Sequence, residues 1–190
     1  MTARRTAAIL VVLVVLAVVA WGASRVFKGR MRPAQTTDAA KPAAPAPQPI
    51  PHITATLFYA SSDGQALAAI KQEVPLANGI VAQAQEILQI QFEPPPSGYL
   101  SAIPKGTALK AFYVTDRGDA FVDVSGDISK AHPGGTLNEL LTVDTIVDAV
   151  TANLPAVHRV QILVDGQEVD TIAGHVDGRH PLERDMTFVK

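Results

Sequence analysis

The chain has 190 residues, 47% of them hydrophobic, and a formal net charge of −2 at pH 7. That length allows one ordinary domain and an additional segment. There is no cysteine, which excludes disulfides, thiolate metal sites, a cysteine nucleophile and the lipidated cysteine of a bacterial lipoprotein.

The additional segment comes first. Ala7 to Ala23 is an uncharged apolar run of 17 residues. As a helix it spans roughly 25 Å, near the lower limit for crossing a bilayer. Arg4 and Arg5 precede it, and Trp21 suits a membrane interface. These features predict an uncleaved anchor, while Ala20, Gly22 and Ala23 keep a cleaved secretory signal open. Arg25, Lys28, Arg30 and Arg32 make the second flank basic too, so the positive-inside rule does not decide orientation. Residues 33–51 follow as a linker, with Pro33, Pro42, Pro45, Pro47, Pro49 and Pro51 among Ala, Thr and Gln. Its prolines favour an extended form of about 3.1 Å per residue. The expected organisation is an anchor or signal over residues 1–32, a linker over 33–51 and a folded domain over 52–190. The linker favours a single-pass membrane protein whose domain lies outside the cytoplasm. After residue 51, nine Lys and Arg face seventeen Asp and Glu, a net of −8, which argues against a nucleic-acid partner.

In the domain, Ile53 to Tyr59 alternates and is rich in β-branched and aromatic residues, which predicts a strand ended by Ser61-Ser62-Asp63-Gly64. Ile80, Val81, Ala84, Ile87 and Leu88 recur at helical spacing, and Pro94 to Pro96 follow the helix they predict. Leu109–Val114 and Ala120–Val124 flank Asp116-Arg117-Gly118-Asp119 and predict a hairpin. A second helix runs from Thr136 to Leu154. Thr136 and Glu139 have capping-box spacing, and Leu137, Leu140, Leu141, Val143, Ile146, Val147 and Val150 form a broad apolar face. A strand over 157–164 follows Pro155. Asp165-Gly166 then supplies a tight hairpin turn into a return strand over about 167–172, with Ile162 opposite Val169. The order β-α-β-β-α-β-β predicts a two-layer α/β sandwich with both helices on one face of a sheet. The tail from Ala173 to Lys190 is polar and either wraps the domain or pairs as a short edge.

No catalytic, cofactor-binding or metal-ligating residue is assigned. His175, Asp177 and His180 contain metal-ligand types, but the spacing fits no zinc signature and reads as a polar tail. The remaining histidines, His52, His132 and His158, are scattered. Asp116, Asp119, Asp123 and Asp127 form an acidic stripe without the calcium-loop pattern, and turn aspartates explain it better. Asp123 and Asp144 are carboxylates in apolar surroundings, each without a second titratable group visible beside it. Ser101 and Ser125 sit in no nucleophile elbow, and Gly134-Gly135 lacks the Lys-Ser/Thr of a phosphate loop.

The stretch from Gly134 to Gly166 joins Gly134-Gly135-Thr136, Glu139-Leu140-Leu141, Ile146-Val147 and Leu154-Pro155-Ala156-Val157 to Val160-Gln161-Ile162-Leu163-Val164-Asp165-Gly166. Its order and spacing resemble the GerMN domain of bacterial sporulation, germination and other cell-envelope proteins. Ser101-Ala-Ile-Pro104-Lys-Gly106-Thr107 and Ala120-Phe-Val-Asp-Val-Ser125 resemble two further family segments. The family's glutamine before Ile-Val is replaced here by Val143-Asp144-Thr145. The resemblance covers most of residues 53–185. It implies a ring-building-motif type of fold, no enzymatic activity, and an interaction or assembly role with envelope proteins or with itself. The alternative is a module for a wall ligand such as peptidoglycan, with Asp177, Arg179 and His180 lining the site. A metal-dependent hydrolase using His175 and His180 is a third reading.

Overall fold

A computed structural model describes residues 50–190; the apolar run, its flanks and most of the linker lie outside the described residues. Among the described residues, no helix is long and apolar enough to cross a membrane.

The first described elements are β1 (His52–Ala60) and β2 (Leu67–Pro75), an antiparallel hairpin with unbroken register from His52↔Pro75 to Ala60↔Leu67. The sequence reading does not anticipate β2. Ala68, Ala69, Lys71, Gln72 and Glu73 are helix formers or strand-neutral residues, and pairing with β1 overrides that local preference. Helix α1 (Ile80–Phe92) ends before the three prolines, where the sequence places it. Strands β3 (Leu109–Val114) and β4 (Asp119–Val124) form the expected hairpin, with a register shift between Leu109 and Ala111. One turn of helix, α2 (Asp127–Lys130), follows; its four residues leave no periodic signal. Helix α3 (Thr136–Asn153) leads to β5 (Arg159–Val164), which runs parallel to β4. Asp165 (φ 52°) and Gly166 (φ 77°) make the turn that the dipeptide requires.

Two expectations need correction here. The return strand β6 stops at Gln167–Glu168, so the Ile162–Val169 pair does not form. The chain is pulled away because residues 172–175 bind α3. The capping box is not made either. Gly135 is the N-cap, no side chain caps the helix, and Glu139 faces the interior.

The tail both wraps and pairs. Strand β7 (Leu182–Glu183) joins β5 at Arg159 and Val160, and Val189 bridges Leu67 on β2. The strands thus form two hydrogen-bonded sheets, β1-β2 and β3-β4-β5 with β6 and β7 on the far edge of β5. Helices α1 and α3 pack on each other and on the strands, giving a mixed α/β two-layer fold. The main core joins Leu57, Ile87, Leu88, Val122, Ile128, Ile146, Val150 and Val160. A smaller cluster holds Phe58, Leu67, Leu141 and Ala149 on the other side of β1.

Candidate functional site

Helix α3 carries the unusual chemistry. Residues Leu141 to Thr151 are all buried, so the helix has no wet face along that length. Its polar side chains must therefore find partners inside the protein.

Glu139 does so fully. Its side chain is completely buried. Oε1 accepts the backbone N–H groups of Ile172 (2.9 Å) and Ala173 (2.8 Å), and Oε2 accepts that of His175 (2.7 Å). His175 Nδ1 lies 3.1 Å from Oε2. Burial pushes this carboxyl up, but the N–H groups and the imidazole outweigh it and hold Glu139 below the usual range. The loop from Ile172 to His175 is thereby fastened to the helix.

Asp144 and Asp148 lie one turn apart on the same helix. Among the described residues, no hydrogen bond reaches Asp144 Oδ2, either oxygen of Asp148, or the Thr145 hydroxyl. Burial, then the charges of Asp148 and Asp185, pushes Asp144 up to about 7. Burial also pushes Asp148 up to about 6, against the opposing charge of the Arg184 guanidinium. Asp144 therefore does have the second titratable neighbour that acid/base chemistry needs. Both carboxylates are buried, and neither lines the recesses described below.

The other sequence-singled residues do not converge. Asp123 accepts the Gly166 N–H at 2.7 Å, Asp119 pairs with Arg159 at 2.7 Å, and Asp127 accepts the Ser125 hydroxyl at 3.1 Å. The acidic stripe is thus a set of separate local bonds, and Asp116 stands exposed in the turn. His132 contacts Thr142 at 3.2 Å and accepts the Gly134 N–H. His158 lies just before β5, and its N–H donates to Gly118 O in the β3–β4 turn. Asp177 and Arg179 bond each other at 2.6 Å, and the guanidinium holds Asp177 well below the carboxylate range. No group of three or more His, Asp or Glu among the described residues is placed to hold a metal ion.

Open space is scarce. A recess of about 150 Å³ between Leu100–Pro104 and Asn138–Thr142 contains no charged side chain. It is smaller than the roughly 300 Å³ of a typical ligand site. A wider, shallow depression of about 550 Å³ is lined by Thr151, Pro155, Val157, His158, Glu183 and Arg184, with Arg184 bonded to Thr151.

The sheet edges are treated unequally. Along the free edge of β1, Asn153 bonds both the N–H (2.8 Å) and the C=O (2.7 Å) of Thr56. Gln91 does the same for Phe58, at 2.8 and 2.7 Å. Leu100 pairs with Ala60 through its own backbone. Two side-chain amides and one bridge thus stand where a further strand would be. On β2 only Leu67 is covered, by Phe188 and Lys190. Ala69, Lys71 and Glu73 share its outward orientation, since opposed antiparallel residues alternate in direction, and they have no backbone partner among the described residues.

Comparison with known proteins agrees with this architecture. No match was found among curated proteins. A crystal structure of a Clostridium perfringens protein, classed provisionally as a lipoprotein, is 26% identical with a TM-score of 0.50, covering 71% of this chain and 89% of that one. The tandem GerMN domains of the sporulation protein GerM from Bacillus subtilis share the fold at 15% identity and a TM-score of 0.52. That likeness covers 71% of this chain and 46% of the tandem, about the share of one of two domains. With more than half of its length matched, over residues 56–170, the chain belongs to the Germane family, described as sporulation and spore germination.

Proposed function

We propose that this protein is a non-enzymatic module of the bacterial cell envelope that works by binding other proteins or itself. Residues 7–23 hold it in the cytoplasmic membrane as a single pass. Residues 33–51 space the domain from the bilayer, and the domain stands outside the cytoplasm. The family is one of sporulation and germination and is not a known enzyme family. The observation that carries the reading is where the polar groups are spent. Among the described residues, the buried carboxylates are closed off or bonded to backbone, while β2 keeps backbone N–H and C=O groups open along its edge.

The polar faces of both helices are natural contact surfaces in the sequence, but α3 is enclosed from Leu141 to Thr151, and the polar side chains of α1 that retain access to solvent are Gln85, Glu86 and Gln89. The wall-ligand reading draws no comparable support, because Asp177 and Arg179 are consumed by each other.

The test is crosslinking in intact cells together with protease access from outside the cytoplasmic membrane. Discrete dimers or crosslinks to envelope proteins, with the domain digested from outside, are expected. A chain that forms no crosslink, or a domain protected until the membrane is opened, would overturn the reading.

A further inference from the structure

Among the described residues, the window from Ala69 to Glu73 is the longest uncovered piece of straight strand edge. Strand β3 is the other outer strand, but its register shifts at Leu109/Ala111, and Lys110 is tied to Asp165 at 2.8 Å. Such irregularity and charge blunt an edge. Strand β2 has no register shift over its nine residues.

Its side chains specify what fits. Ala69, Lys71 and Glu73 are exposed on one face, and neither charge has an ion partner among the described residues. Glu73 only accepts the Thr54 hydroxyl at 3.0 Å. Opposite charges separated by one residue are self-complementary when a strand meets an antiparallel copy of itself. A register with Gln72 on the two-fold axis sets Lys71 opposite Glu73 in both directions. Moving each way to the next axes that keep outward groups paired sets Lys71 against Lys71, or Glu73 against Glu73. An axis at residue 70 places Lys71 against Ala69 and loses the ion pairs. In the favoured register Lys71 and Glu73 exchange N–H and C=O groups, and Ala69 donates to the carbonyl of Pro75, which has no N–H to return. The added strand ends there, just before Leu67, whose edge groups Phe188 and Lys190 occupy.

We propose that a second copy of this chain adds antiparallel to β2, with Lys71 of each copy opposite Glu73 of the other. This rests on the reading of the domain as an assembly module and names the surface. A strand added at an open edge gains main-chain hydrogen bonds, and the facing side chains set the register.

The test is sedimentation of the full chain in detergent micelles over a wide concentration range, with charge-reversal variants. The unaltered chain should form a concentration-dependent dimer. K71E and E73K should each raise its dissociation constant about tenfold or more, because two facing pairs become repulsive. The combined K71E/E73K chain should recover the original value, which no general surface effect would produce. Both positions are exposed, and unchanged urea midpoints would confirm that the variants fold. A strict monomer, or single reversals that leave the dimer intact, would overturn the proposal. Crosslinks to other envelope proteins by a strictly monomeric chain would remove the β2 pairing and leave the broader assembly reading standing.

Discussion

At the scale of single residues, the interior carboxylates act in opposite directions. Glu139 is ionised and satisfied by three backbone N–H groups. Glu139→Gln keeps the shape but turns an amide toward the His175 N–H, and should cost about 2–4 kcal/mol in urea denaturation at pH 7. Because its folded value is depressed, the stability Glu139 supplies is present above the unfolded value of 4.5 and is lost as pH falls through the folded one. Asp144 has the reverse sign. Its folded value, about 7, lies above the unfolded 3.8, so the folded state holds the proton longer. Stability therefore declines as pH rises from about 4 to about 7 and stays lower beyond. Asp144→Asn should raise stability at pH 8 by about 1–3 kcal/mol, and flatten this decline in melting curves taken across pH. An unchanged pH profile would mean that Asp144 holds its proton no longer in the folded state than in the unfolded one.

At the scale of elements, the hairpin β1-β2 depends on side chains from both long helices. Gln91 is 1% exposed and makes both edge bonds to Phe58. Gln91→Ala strands that N–H and C=O in the interior and should cost about 2–4 kcal/mol. Hydrogen exchange at the Phe58 amide should quicken more than global unfolding accounts for. Asn153→Ala should do the same at Thr56. If exchange at these amides keeps pace with the rest of β1, the amides are not what seals the edge.

At the scale of the whole molecule, the C-terminal tail stitches the two sheets. Leu182–Glu183 pair with β5, Arg184 bonds Thr151 on α3, and Phe188 and Lys190 bond Leu67 on β2. Deleting Phe188 to Lys190 removes the two backbone bonds to Leu67 and a partly buried aromatic ring, and should lower stability by about 2–4 kcal/mol. In the register centred on Gln72, Leu67 falls opposite position 77, beyond the end of β2, so the loss should appear in urea denaturation without a change in self-association in sedimentation runs.

The sequence by itself determined the elements whose information is local. Helices α1 and α3 follow from apolar spacing, the β3–β4 hairpin from turn chemistry between two alternating runs, and the Asp165-Gly166 turn from the positive φ it needs. Together with the Gly134–Gly166 stretch they were enough to indicate the family. Tertiary structure alone decided the rest, because those features depend on what stands opposite. Strand β2 exists through its partner, since Ala-Lys-Gln-Glu does not prefer a strand. Glu139 has capping-box spacing from Thr136, yet it also lies one turn before Val143 on the buried side of α3, and the converging N–H groups of residues 172–175 claimed it. Asp144 and Asp148 show an i, i+4 spacing in the chain, but only packing on every side of α3 turns that spacing into a closed acidic pair. Which strand edge stays open was likewise set by where Gln91, Asn153 and the tail come to rest, contacts between residues far apart in the chain.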